Sequence, residues 1–288
     1  MPRPESPIAE HATRGIALLF WLALAGGLPS CAAPALQWQG RAPEDPDPSG
    51  PRYLRHYKDS HFRELGDHFT GGVTDAMFGR ELAASRVLYL GDHHHDHDLH
   101  ARILALLSEL HARGHRLRLG LECIGSEDAS ALDAYLAGQA SLADLGERAR
   151  SRWPDSWLTT DRVDAAFYRE LLRRARANRW PAFALEPTPR LPLYERDHVI
   201  AAAIHAEATR HPDDLVVVII GHTHLLGEGR LVSRVGLPHC AIGPRLSVSL
   251  AAAGAKHTWR PDERFARASS GVLFALPLDT RPDDADDG

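Results

Sequence analysis

The sequence predicts an α/β fold in which a mainly parallel central sheet carries helices on both faces. Three observations predict it. Short apolar runs alternate with helical patterns through the middle of the chain. Each run ends at a glycine or a carboxylate, and carboxylates and imidazoles gather just past those ends. Strands that read as unbroken apolar stretches are buried on both faces, which is the setting of a parallel sheet with helical crossovers. In such sheets ligands bind beyond the carboxyl ends of the strands.

The chain has 288 residues, enough for one α/β domain with appendages. Residues 1–30 read as a signal peptide: a weakly charged start with Arg3 and Arg14 precedes IALLFWLALAGG, a run shorter than the roughly 20 apolar residues that span a bilayer. LPSC, ending at Cys31, resembles a bacterial lipobox, and Ser30-Cys31-Ala32 also reads as an ordinary signal-peptidase site. Lipidation of Cys31 and plain secretion therefore both stand. The expected location is the cell envelope, on the periplasmic side of the outer membrane if Cys31 carries lipid. Residues 31–52, with APEDPDPSGP, have no apolar period and form a tether. The folded domain is expected over residues 53–278, followed by an acidic disordered tail at 279–288. Once Cys31 is set aside, Cys123 and Cys240 are too few for a disulfide framework.

The first strand is expected at residues 87–90, VLYL, closed by Gly91. A helix follows, because Leu99, Ile103, Leu106, Leu107 and Leu110 recur on one face. Residues 116–122 form the second strand, ending at Glu122, and a helix covers 131–136. Val163, Phe167 and Leu171 share a face of a helix over 161–177. The third strand, 181–185, ends at Glu186. A long helix carries Ile200, Ile204 and Ala208, and LVVVII at 215–220 is the fourth strand, opening into GHTH.

All four strand ends then deliver carboxylate or imidazole to one edge. GDHHHDHDLH, residues 91–100, packs five histidines and three aspartates into ten positions. Such groups suit zinc, iron or manganese. The candidate metal ligands are Asp92, His93, His94, Glu122, His222 and His224. Against this stands a solvated loop in which Asp96 or Asp98 caps the next helix; His97 and His100 are assigned to it, His100 because it lies off the apolar stripe. The residues alone do not choose among His93, His94 and His95, or between His222 and His224. Glu122 follows buried leucines, so its carboxylate needs a partner, in a site or in a structural ion pair. Glu186 reads equally as a turn carboxylate facing water. Arg196 and Asp197 flank the Ile200/Ile204 stripe, where they either lock the helix to the sheet or orient a site carboxylate such as Glu122. Trp153, Trp157 and Tyr168 read as core or lid aromatics. A net charge of -5 and a pI near 6.4 provide no basic field for nucleic acid.

At LGDHH (90–94), GLE (120–122), ERD (195–197) and GHTH (221–224) the chain resembles the ChaN-like haem-binding uptake family, in the wider group of Tiki, TraB and erythromycin esterase proteins. The resemblance runs roughly from residue 82 to 243. It selects His94, Glu122, Arg196, Asp197 and His224, with Asp92 standing where the family has Glu. That change withdraws the charge by about 1.5 Å, one C–C bond. His93 and His95 exceed the pattern. The resemblance implies an exported lipoprotein that binds haem or a divalent metal ion, with His94, His224, Arg196 and Asp197 at the cofactor and imidazole or phenolate as iron ligand. It also implies membrane attachment through Cys31 and leaves a homodimer open. The alternative within the wider group is a metal-dependent peptidase or esterase that uses Asp92, His94, Glu122 and His224, with Asp92 and Glu122 as its catalytic carboxylates. A calcineurin-like phosphoesterase shares GD and GHTH, but the D-x-H and GNH-D/E motifs are missing.

Overall fold

A computed structural model describes residues 69–149, 156–189, 191, 193–225, 231–244, 260, 262–268 and 270–275. The signal segment, the tether with Cys31, Trp153 and the acidic tail lie outside the described residues. The elements in chain order are β1 (Phe69–Thr74), α1 (Asp75–Ala83), β2 (Val87–Asp92), α2 (His97–Ala112), β3 (Leu117–Gly125), α3 (Ala129–Leu136), α4 (Leu142–Arg148), α5 (Ala165–Ala177), β4 (Ala182–Glu186), α6 (Leu193–Arg210), β5 (Leu215–Gly221), α7 (Leu231–Val235), β6 (His239–Gly243), β7 (Glu263–Ala268) and β8 (Leu273–Ala275).

The strands form one sheet in the order β1-β7-β8-β6-β2-β5-β3-β4. The expected parallel arrangement holds: β2, β3, β4, β5 and β6 all run the same way. The far edge turns antiparallel, where β7 pairs with both β1 and β8. Register then places the site. β2 and β5 pair from Val87↔Val216 to Asp92↔Gly221, so the two strands end side by side.

Alternation along each strand builds two cores. Leu88, Leu90, Leu119, Leu121, Val217 and Ile219 join one apolar cluster with Ile103 and Leu107 of α2 and Leu171 and Leu172 of α5. Val87, Tyr89, Val216, Val218 and Ile220 point the other way, onto Ile200 and Ile204 of α6 and Leu231 of α7. Each fully buried leucine or isoleucine of this kind stabilises the fold by about 1.5–3 kcal/mol. Two boundaries differ most from expectation. β3 runs on to Gly125 because Cys123 and Ile124 are still buried between layers. α5 starts only at Ala165, with Asp164 as its cap, accepting from the Phe167 N–H. As expected, Asp96 caps α2 by accepting from the Leu99 N–H at 2.9 Å.

Candidate functional site

Asp92 is the last residue of β2 and is 2% exposed. Its Oδ2 accepts from the Tyr168 hydroxyl at 2.5 Å and lies 3.0 Å from His94 Nδ1, while its Oδ1 lies 2.8 Å from His100 Nε2. Burial alone would raise this carboxyl, but the hydrogen bonds from His100 and His94 outweigh it and hold Asp92 well below the ordinary carboxylate range. An ionised Asp92 only accepts, so His94 donates through Nδ1, and Nε2 is the nitrogen turned toward Gly221. Tyr168 is also within 3.2 Å of His94 Nδ1. Burial, and then the Asp92 charge, push its phenol far above the ordinary range, so it serves as a neutral donor rather than as a phenolate ligand. Trp157 meets the His94 ring edge-on at 4.5 Å and forms a wall beside it.

A second cluster lies behind β5. Glu122, 2% exposed, accepts from the Gly221 N–H through Oε2 at 2.6 Å and approaches His224 Nε2 to 3.5 Å through Oε1. His224 sits in the single turn after β5; Arg196 Nη2 is 2.8 Å from its Nε2, and its Nδ1 bonds Asp197. Burial works against the imidazolium form of His224, but Asp197 and Glu122 outweigh it and raise the pKa. Arg196 also reaches Glu186 at 3.4 Å. The RD pair of α6 thus orients His224 and Glu186, and Glu186, 1% exposed, is a buried partner rather than a turn carboxylate in water.

The two clusters meet over Gly221. A Cβ on that glycine would stand 3.5 Å from His94 Nε2 and 3.4 Å from Glu122 Oε2. The missing side chain leaves room for about one heavy atom between an imidazole nitrogen and a carboxylate. Of the three adjacent histidines, His94 turns inward, whereas His93 and His95 are exposed. His93 stacks on the half-buried His222, whose Nδ1 lies 3.2 Å from the Asp92 carbonyl oxygen.

His100 departs from its assignment to a solvated loop. It is 2% exposed, stacks flat on Phe167 at 3.9 Å, and lies between Asp92 and Asp164, with 2.9 Å from its Nδ1 to Asp164 Oδ2. Its burial comes from α5, which covers the side of α2 flanking the leucine stripe. His97 is exposed as expected, yet its Nδ1 is 2.7 Å from the same Asp164 oxygen. Asp164 and the role of Tyr168 escaped the reading of the sequence. The only local signal for Asp164 is its place just before an apolar helix, which reads as a cap.

Three solved structures bear comparison. ChaN of Campylobacter jejuni, described with cofacial haem binding, is 12% identical, with 61% of this chain and 87% of that chain covered and a TM-score of 0.44. The type III effector HopBA1 is 14% identical, with 67% and 89% covered and a TM-score of 0.43. RRSP, a MARTX toxin effector domain from Vibrio vulnificus, is 20% identical, with 60% of this chain and 36% of that chain covered and a TM-score of 0.44. No protein of curated function matches the sequence. Arg196, Asp197 and His224 lie past the end of the family match. Residues 78–191, the stretch that carries Asp92, His94, Glu122 and Glu186, match the family described as haem-binding uptake, Tiki superfamily, ChaN, and the resemblance read from the sequence motifs holds.

Proposed function

We propose that the chain binds haem at this strand edge and that His94 is the residue that meets the iron. The state of His94 carries the reading. Asp92 and Tyr168 hold its Nδ1, its Nε2 borders the gap over Gly221, and its side chain keeps 29% exposure, against 1% for His224. A histidine whose far nitrogen is held by a carboxylate is the usual form of a metal-bound imidazole. The donor set at His94 therefore fits an iron centre that approaches from the open side. Haem supplies a Lewis-acidic, redox-active iron in a flat apolar ring.

The protein's own residues divide the work. Asp92 fixes the His94 ring, Tyr168 supplies a neutral donor that keeps Asp92 charged, and Trp157 offers an apolar wall. His224, with both nitrogens committed inside the protein, positions Glu122 rather than serving as an iron ligand. His93 and His222 line the rim, where they suit a passing metal or haem. Residues 1–30 and Cys31 support export with a lipid anchor in the envelope, and the family description supports a part in haem or iron uptake. Among the described residues no helix is long and apolar enough to cross a membrane.

The test is a haem titration of the untagged protein followed at the Soret band. His94→Ala is expected to weaken binding by about tenfold or more, which corresponds to about 1.4 kcal/mol, while His95→Ala leaves it unchanged. No haem uptake at micromolar protein overturns the reading. Ester or peptide cleavage that disappears in His94→Ala assigns the site to the hydrolase alternative instead.

A further inference from the structure

We infer that His97, His100 and Asp164 form a second site, for a divalent cation of the zinc type, that clamps the first turn of α2 to the start of α5 behind the His94 loop. The inference does not depend on the haem reading, because none of the three residues borders the gap over Gly221.

The ligand atoms are already together. His97 Nδ1 and His100 Nδ1 lie 2.7 and 2.9 Å from Asp164 Oδ2, and the three atoms all fall within 4.8 Å of one another. Tetrahedral zinc with bonds near 2.0–2.1 Å wants ligand atoms about 3.3 Å apart. The set has to open by only about half an ångström to admit the ion. Helical spacing of three puts His97 and His100 on one side of α2. The His97 side chain, 80% exposed, has the freedom to swing outward and leaves a coordination position open to water. Asp164 uses Oδ1 to cap α5, at 3.2 Å from the Phe167 N–H, so Oδ2 is the atom left to turn toward a cation.

His100 gives the arrangement its metal character. Its Nε2 faces Asp92 Oδ1 at 2.8 Å, and its ring is pinned flat against Phe167. Both ring nitrogens therefore face carboxylate oxygens, and Nδ1 can satisfy Asp164 only by holding a proton or a cation. A carboxylate on the far nitrogen is the partner that ligating histidines ordinarily have. Two imidazoles and one carboxylate with a position open to water make an N2O set that suits zinc better than calcium or magnesium.

Position gives the site a consequence. The Asp164 N–H donates to the His94 carbonyl oxygen at 2.7 Å, and Asp92 bonds both His94 and His100. An ion at Asp164 thus stiffens the support on which His94 rests.

The test uses the full untagged chain, stripped with EDTA and then equilibrated with zinc, with bound metal measured and thermal unfolding followed. The variants are His97→Ala, Asp164→Asn and His95→Ala. Asparagine still caps a helix, and His97 is on the surface, so the first two keep the fold. Wild type and His95→Ala, an exposed neighbour, are expected to take up one more zinc per chain than His97→Ala and Asp164→Asn, and to gain thermal stability on zinc addition that those two lose. Zinc uptake that is unchanged in His97→Ala and Asp164→Asn, or absent from wild type, overturns the inference. Haem titration of EDTA-stripped His97→Ala, expected to match stripped wild type, separates the two readings: a protein that takes haem but no zinc loses only the second site.

Discussion

Asp92 shows how one shortened side chain is accommodated. In the family pattern a glutamate stands here, and the withdrawn charge was expected to alter metal geometry or to leave it to water. In the structure both oxygens of Asp92 are occupied, by His94 and Tyr168 on one side and His100 on the other, at 2% exposure. The aspartate anchors two imidazoles. The space in front of the His94 imidazole is held open by Gly221, whose φ of -47° and ψ of 129° suit any residue. Alanine there would make ordinary contacts, at 3.4 Å to Glu122 and 3.5 Å to His94. Gly221→Ala is therefore expected to change unfolding free energy by less than about 1 kcal/mol while weakening haem binding by about tenfold or more. Urea unfolding and a Soret titration on the same preparation check it, and unaltered haem affinity would show that the gap is not where the ligand atom sits.

At the scale of elements, the strands that were legible are those buried on both faces. β2 and β5 are unbroken apolar runs closed by glycine, so they announce both their type and their end. β1 and β7 were not legible, because FTGGVT and ERFARA mix glycine and charge into short stretches, and β8, LFA, is too short to show a period. β6 lies between these extremes and brings its own titratable group. His239 begins it, beside Val87 in the register, with its ring edge-on to Tyr89 at 5.9 Å. Burial lowers its pKa below the ordinary 6.5, with the Leu237 carbonyl opposing weakly. As pH falls through 6.5 the unfolded chain takes up a proton that folded His239 resists, so the stability it contributes is full above that pH and declines below it, down to the folded value. The difference in unfolding free energy between wild type and His239→Gln is accordingly expected to shift against wild type between pH 7.5 and pH 5. A difference that is flat across this window would mean that the imidazole is solvated in the folded protein.

Over the whole molecule, the site was legible to the extent that a parallel sheet makes chain ends coincide. Asp92, Glu122, Glu186 and His224 are far apart in sequence, and placing strands side by side in one direction is enough to bring them to one edge. What the sequence could not disclose is lateral cover: Asp164 lies 64 residues from His100, and only the packing of α5 on α2 joins them. The same sheet separates the two remaining cysteines. Cys123 is on β3 and Cys240 on β6, 6% and 3% exposed, with β5 and β2 between them. Three strand spacings amount to roughly 14 Å, well past the reach of a disulfide of about 7 Å between Cα atoms. Both thiols are therefore expected to stay reduced even in an oxidising compartment, protected by burial rather than by pairing. In a Cys31→Ser background a thiol reagent should modify neither cysteine in the native protein and both in denaturant. Because Cys123 follows Glu122 directly, its exposure reports on the site edge, while Cys240 reports from three strands further across the sheet. If the sheet opens as one unit, the two thiols and the Soret band change at the same denaturant concentration; modification of Cys123 well before Cys240 would show instead that the edge bearing the site opens separately from the centre of the sheet.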